Sequence, residues 1–160
     1  MSKISRIVYF FITFIFFVLS NLFITAHILS NMNSSLVSNS LFSFTFVKNY
    51  GAAFNIFDGA KTFLILFSLI ALIVIIIFTV KNIKKLSMIN IFSIALLCAG
   101  IFCNMSERLE LGYVRDFVKL NFIDFPVFNI SDIYINISVF IILLSVVKNT
   151  YFKKNEHNSR

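Results

Sequence analysis

The sequence predicts a membrane protein that is mainly α-helical, with four transmembrane helices and a small extracytoplasmic β-sheet. Of the 160 residues, 59% are hydrophobic and only 13% are charged, which is far from the composition of a soluble domain. The apolar residues gather in four runs, each long enough to cross a hydrocarbon core about 30 Å thick. We therefore expect a single integral membrane domain over residues 1–160.

The first helix is predicted at about residues 7–29. Ile7 to Leu29 carries no formal charge, and roughly 23 such residues are enough for a tilted span. The basic start of the chain is also typical of a secretory signal, but the apolar run is too long for a signal core and no convincing cleavage site follows it. We expect an uncleaved first helix.

The segment at about residues 30–59 is predicted to lie outside the membrane. It begins with serines and asparagines, which favour turns, and Leu41 to Val47 alternates as a strand would. These features predict a small hairpin or sheet between the first and second helices. The motif KNYGAAF follows, in which Gly51 allows a positive φ or a close backbone approach.

Three more helices are predicted at about residues 60–80, 86–106 and 129–147. The first two are uncharged runs joined by a short basic loop, the pattern of an antiparallel helical hairpin. The last run ends at Lys148, and the residues between Asp132 and that lysine make only about 22 Å of helix. A complete span must therefore begin before Asp132, which places this acid about one turn inside the helix.

The lysines and arginines predict the orientation. One side of the predicted membrane carries Lys3, Arg6, Lys81, Lys84, Lys85, Lys148, Lys153, Lys154 and Arg160, and the other carries Lys48, Lys61, Arg108, Arg115 and Lys119. The excess on the first side predicts that both termini are cytoplasmic, with segments 30–59 and 107–128 outside. The net charge of +7 forms no basic stripe, so we expect no nucleic-acid partner.

Neither a metal nor a cofactor is expected. Cys98 and Cys103 lie in an apolar run without a C-x-x-C pair or a neighbouring histidine, which is typical of packing residues. His27 has no carboxylate or second histidine near it in the sequence, so we assign it no chemistry.

The acidic residues are concentrated between Asn104 and Asp132, a stretch that holds five of the seven in the chain. Asp116 falls in the loop after the third helix, and the connection from there to Asp132 is long enough to fold back on itself. Two carboxyls that meet at low dielectric cannot both ionise easily, so they would share one proton. Such a pair can activate water against an amide.

Each acid also has a purely structural alternative. The spacing from Asn129 to the aspartate three residues later is typical of a helix N-cap with an acid in the first turn. Asp116 could pair with Arg115 or Lys119 in an exposed loop, and Asp124 is a rival member of the pair. Spacing alone leaves these alternatives open.

Three short motifs add a resemblance. The first is KNYGAAF, with Asn49, Gly51 and Phe54; the second is Asn104, Arg108, Gly112 and the V-R-D-F run over 114–117; the third is Phe128, Asn129 and Asp132. In order and spacing they resemble the motifs of the lipoprotein signal peptidases, the type II signal peptidases of bacteria. Those enzymes are four-span aspartic proteases of the cytoplasmic membrane.

The resemblance implies an aspartic endopeptidase that removes the signal peptide from diacylglyceryl-modified prolipoproteins, on the amino side of the lipid-modified cysteine. It implies that Asp116 and Asp132 are catalytic. It implies substrate-binding or supporting roles for Asn49, Gly51, Phe54, Asn104, Arg108, Gly112 and Asn129. We expect a monomer in the bacterial cytoplasmic (inner) membrane, in contact with lipid and prolipoprotein, with its active site at the outer face.

The chain departs from the family pattern at three places. SNLFITAHI stands where an Asp-x-x-Ser/Thr-Lys signature is usual, so Asn21 takes the place of the acid and the lysine is missing. Cys103 stands where glycine is usual, and Glu107 where aspartate is usual. The altered first helix puts its contacts with substrate or lipid in doubt.

Two other classes of function are possible for four spans with buried acids. An ion-coupled carrier would place the acids near the middle of the membrane, and a membrane anchor would need no acid pair. The sequence places both aspartates at one edge, which favours the peptidase.

Overall fold

The computed structural model describes residues 1–32, 39–52 and 56–158, with side chains as far as Lys148. Within these ranges the chain forms α1 (Lys3–Asn31), β1 (Phe42–Asn49), α2 (Lys61–Asn82), α3 (Met88–Leu111), β2 (Val114–Leu120) and α4 (Ile130–Asn158). All four helices are long and apolar enough to cross a membrane, and the membrane-length part of α4 is Ile130–Lys148. The predicted fold class is confirmed.

α3 lies at the centre of the bundle and packs against α1, α2 and α4. Of its most apolar window 56% is buried, against 17% or less for each of the other helices. Small residues such as Ala95, Cys98 and Ala99 are fully buried on α3 and let the neighbouring helices approach closely. The other three helices expose most of their apolar side chains, as helices that contact lipid do.

The sheet consists of β1 and β2, which pair antiparallel. Lys48 lies opposite Arg115 and Asn49 opposite Val114, with an irregularity between Phe44 and Val47. The sequence correctly predicted a small sheet, but its location between the first and second helices was only half right. β2 comes from the segment between α3 and α4, because the end of α3 returns the chain to the same end of the bundle as β1.

Gly112 makes this return possible. It ends α3 with a φ of 87°, and its N–H donates to the carbonyl of Arg108. A left-handed residue at this position is a common way to stop a helix, and glycine adopts that conformation at little cost. Two residues later the chain is already extended in β2, so Gly112 sets the direction in which Asp116 leaves the helix.

Gly100 is the point of close approach between α3 and α4. A Cβ atom added there would lie 2.7 Å from the carbonyl oxygen of Ser131 and 2.8 Å from Cγ1 of Ile135. Because both atoms belong to the first two turns of α4, the absence of a side chain at residue 100 lets the start of α4 rest against α3.

We expect Gly100→Ala to lower the free energy of unfolding by about 1–3 kcal/mol, since the added methyl group overpacks this contact, although alanine is the better helix former. The measurement is Tm in detergent. Val74→Ile is the control, because it adds one carbon at a position that is 59% exposed and should leave Tm unchanged. A Gly100→Ala protein as stable as the wild type would contradict the tight contact between α3 and α4.

Candidate active site

Two aspartates lie at the same end of the bundle, one on the sheet and one on a helix. Asp116 is in the middle of β2 and only 2% exposed. Asp132 is in the first turn of α4 and partly buried. Both line one cleft, together with Asn104 and Arg108 from α3. The structure therefore brings together two acids that are far apart along the chain.

Two side-chain amides hold Asp116. Nδ2 of Asn49 donates to Oδ2 at 2.9 Å, and Nδ2 of Asn129 donates to Oδ1 at 2.8 Å. The alternative pairing of Asp116 with Arg115 is wrong, because the Arg115 guanidinium binds Glu107 instead. Within the described part of the chain, Asp116 makes no ion pair with Lys119 either.

Asp132 and Asn129 cap the start of α4 reciprocally. The backbone N–H of Asp132 donates to Oδ1 of Asn129 at 3.0 Å, and the backbone N–H of Asn129 donates to Oδ2 of Asp132 at 3.1 Å. This is a capping-box arrangement, so the N-cap alternative is correct as far as it goes. It does not compete with a chemical role, because capping fixes the Asp132 carboxylate in the cleft.

Asn104 and Asn129 connect the two carboxylates. Nδ2 of Asn104 donates to Oδ1 of Asp132 at 2.9 Å, and Nδ2 of Asn129 donates to Oδ1 of Asn104 at 3.1 Å as well as to Asp116. The chain of amides thus runs from one acid to the other. Each oxygen of the two carboxylates accepts one hydrogen bond from the described residues, and a carboxylate oxygen can accept two.

Burial raises the pKa of the Asp116 carboxyl to about 6. The hydrogen bond from Asn49 opposes this rise, the negative charge of Asp132 adds to it, and the amide of Asn129 and the guanidinium of Arg108 lower the pKa again. Desolvation and a second negative charge both disfavour the ionised form. The negative charge of Asp132 is therefore close enough to raise the pKa of Asp116.

Arg108 fastens the loop after β1 to α3. One of its terminal nitrogens donates to the carbonyl of Gly51 at 2.6 Å and the other to the carbonyl of Asn104 at 3.1 Å. The N–H of Gly51 donates in turn to Oδ1 of Asn49 at 2.9 Å. Nε of Arg108 is buried and has no acceptor among the described residues. The guanidinium thus holds Gly51 against α3, and Gly51 in turn orients the Asn49 amide. Its positive charge lies close enough to act on both acids.

The predicted site residues are placed as follows. Asn49, Gly51, Asn104, Arg108, Asp116, Asn129 and Asp132 meet in one hydrogen-bonded cluster. Gly112 contributes through the backbone turn that ends α3. Phe54 lies outside the described residues. Asp124, the rival acid, is exposed and forms no part of the cluster.

The sequence reading missed two supporting pairs. Glu107 accepts three hydrogen bonds from Arg115, one of them from its backbone N–H, and so ties the start of β2 to α3. Nδ2 of Asn21 donates to Oγ of Ser131 at 2.9 Å, with both residues buried. The only sequence signals were the unusual residues at positions 21 and 107. Both pairs hold the elements that carry Asp116 and Asp132.

The acids lie at the polar end of a cleft of about 1280 Å³. Its walls are mainly apolar side chains from α2, such as Phe63, Leu64 and Phe67, and from α4, such as Ile133 and Ile137. The described residues include no group of three histidine, cysteine or acidic side chains that could hold a metal ion. Two electrostatically coupled carboxyls beside an apolar cleft can instead act as general base and general acid.

Comparisons with known proteins show the family to which the chain belongs. A family model described as signal peptidase (SPase) II matches residues 9–148. A lipoprotein signal peptidase of Lactiplantibacillus plantarum is 35% identical over 131 residues, which are 82% of this chain and 86% of that protein. Another, from Lactobacillus johnsonii, is 31% identical over 152 residues, 92% of this chain and 96% of the other.

A solved structure shows the same architecture. A bacterial membrane enzyme determined by the in meso method at 2.3 Å resolution matches with a TM-score of 0.78 and 30% sequence identity, over 88% of each chain. The fold, its membrane-length helices and the sequence matches over most of the chain lead to the same conclusion. The chain belongs to the signal peptidase II family, the lipoprotein signal peptidases.

Proposed function

We propose that this chain is an aspartic endopeptidase that removes signal peptides from diacylglyceryl-modified prolipoproteins, cutting on the amino side of the lipid-modified cysteine. Family membership supports a peptidase with a prolipoprotein substrate. The observation that carries the aspartic mechanism is the chain of amides joining Asp116 and Asp132 at the end of an apolar cleft.

The pair works with one proton. The ionised carboxylate takes a proton from a water molecule as that water attacks the scissile carbonyl, and the protonated carboxyl hydrogen-bonds the carbonyl oxygen and later helps to protonate the departing amine. With one proton on the pair, the charges of Arg108 and the two aspartates sum to zero. A neutral set is favoured at the end of an apolar cleft, where uncompensated charge is costly.

The asparagine side-chain amides hold the two carboxyls in this arrangement. Asn104 and Asn129 orient the two carboxyls through donated hydrogen bonds, so that the acids need not reorganise during the reaction. Arg108 and Gly51 hold Asn49 in place on the other side of Asp116. The KNYGAAF loop, including Phe54, is proposed to bind the substrate on the grounds of its motif.

The cleft suits a lipid-modified substrate. It is lined by α2 on one side and α4 on the other, and the apolar walls beneath the acids match acyl chains. We place the site at the outer face of the bacterial cytoplasmic membrane with both termini inside, because the lysines and arginines favour that orientation. The proposed enzyme is a monomer that needs no cofactor.

The carrier alternative fits the geometry less well. A carrier would bind its ion near the middle of the membrane, but Asp132 lies in the first turn of α4 and Asp116 lies in the sheet, beyond the end of α3. Both acids are thus at one edge of the bundle.

Replacing either acid tests the proposal. We expect Asp116→Asn and Asp132→Asn each to reduce cleavage of a diacylglyceryl-modified precursor by at least about 100-fold, because each removes a group that carries the proton. A gel assay with purified protein measures this. Asp124→Asn removes an exposed carboxylate and should keep full activity. Full activity in either dyad variant, folded and inserted, would eliminate the two-aspartate mechanism.

The pH profile tests the environment of Asp116. Its pKa of about 6, which the negative charge of Asp132 helps to raise, is the value at which the pair takes up its shared proton, so cleavage should fall as the pH rises above it. The Asn49 amide favours the ionised carboxylate, so Asn49→Ala should move this alkaline limb to higher pH. The measurement is kcat/KM against pH.

Asn121→Ala serves as the matched control, since this exposed amide bonds to Asn39 and Ser43 on the far part of the sheet. Its alkaline limb should coincide with that of the wild type. An Asn49→Ala profile that is lower at every pH by the same factor, with the limb unmoved, would show that Asn49 acts on the structure alone.

A further inference from the structure

Asn136 is a polar residue within the apolar part of the cleft. It lies on α4 one turn beyond Asp132 and lines the same cleft. One N–H of its amide donates to the backbone carbonyl of Asp132 at 2.8 Å. The second N–H of that amide has no hydrogen-bond acceptor among the described residues, and the side chain is exposed to the cleft.

Ser68 on α2 lines the cleft from the opposite wall. Asn136 is about 9 Å along α4 from its start, and Ser68 is about 10 Å along α2 from its start, at the helical rise of about 1.5 Å per residue. Among the described residues of α2 and α4 that line the cleft, Asn136 and Ser68 are the polar side chains besides Asp132.

Placing these polar side chains in an apolar cleft costs free energy that contacts with acyl chains alone would not offset. An amide at membrane depth is unfavourable unless its donors and acceptors are used. The neighbouring outward positions of α4 are apolar, including Ile137, Phe140 and Leu144. Leucine at position 136 would suit a cleft that received only hydrocarbon. The Asn136 N–H that lacks an acceptor among the described residues therefore indicates a polar group in the ligand.

We propose that Asn136, assisted by Ser68, binds the ester carbonyls of the diacylglyceryl group on the substrate, an inference that rests on the proposed function. When the scissile carbonyl is at the two aspartates, the modified cysteine follows directly, and its glycerol esters lie several bonds farther from the acids. Asn136 is about 6 Å, slightly more than one helical turn, from Asp132 along α4. An ester carbonyl only accepts hydrogen bonds, and Asn136 and Ser68 both offer donors.

The inference predicts recognition of ester against ether lipid. The test compares a precursor carrying a diacylglyceryl group with a matched precursor carrying a dialkylglyceryl ether, which lacks the carbonyls, in detergent that contains no esters. For the wild type we expect KM to be about three- to tenfold higher for the ether, the effect of losing one net hydrogen bond, with kcat unchanged. Asn136→Leu should raise KM for the ester by the same factor and leave KM for the ether unchanged.

Two more variants complete the design. Asn136→Gln keeps a donor and should restore part of the ester preference, whereas Ser145→Leu replaces a polar residue of α4 that does not line the cleft and should change neither KM. Equal effects of Asn136→Leu on both precursors, or no effect on either, would overturn the inference. The second outcome would arise if Asn136 met only membrane phospholipid, which the detergent does not contain. Failure of the wild type to cleave either precursor would overturn the proposed function itself.

Discussion

The interaction on which the structure depends is the hydrogen bonding of two carboxylates at the rim of an apolar bundle. Neither Asp116 nor Asp132 forms an ion pair in the part of the chain that the structure describes. Instead, three asparagine side chains donate to them, and one arginine lies beside both. Amide donors stabilise a carboxylate without cancelling its charge, so the pair stays available for proton transfer. A direct salt bridge would have held one acid permanently ionised.

Each structural element contributes to this placement. The left-handed residue Gly112 turns the chain so that β2 pairs beside β1, which brings Asn49 to Asp116. The close contact at Gly100 sets the start of α4 against α3, which brings Asn104 to Asp132. Two further hydrogen-bonded pairs hold the same elements in place, Glu107 with Arg115 and Asn21 with Ser131. The site is thus built where three chain segments meet, and its precision comes from the bundle.

Much of the fold was predictable because membrane spans leave a strong signal. Four uncharged runs and their basic flanks identify the helices, and the positions of the acids at the ends of these runs place them at one edge. The partner of β1 was not predictable, because VRDFVKL is short, carries three charged residues and pairs with a strand more than sixty residues away. That pairing depends on where α3 ends in space.

The candidate site was likewise predictable only in part. The motif spacings identified Asp116, Asp132 and their asparagines, but not which amide donates to which oxygen. The Asn129 side chain donates to both Asp116 and Asn104 while it caps α4. The Asn21–Ser131 hydrogen bond joins helices at opposite ends of the chain. Asn136 is one asparagine in an apolar run, and only its position on the cleft wall gives it meaning.

The central claim is that the two aspartates share a single proton. Infrared difference spectra between the wild type and a protein with both Asp116→Asn and Asp132→Asn, recorded across pH, count the protonated carboxyls of the pair directly. The account predicts that one carboxyl of the pair becomes protonated as the pH falls through about 6, while the other stays ionised until the pH is lower. Protonation of both carboxyls only near the ordinary aspartate value of about 3.9 would contradict it.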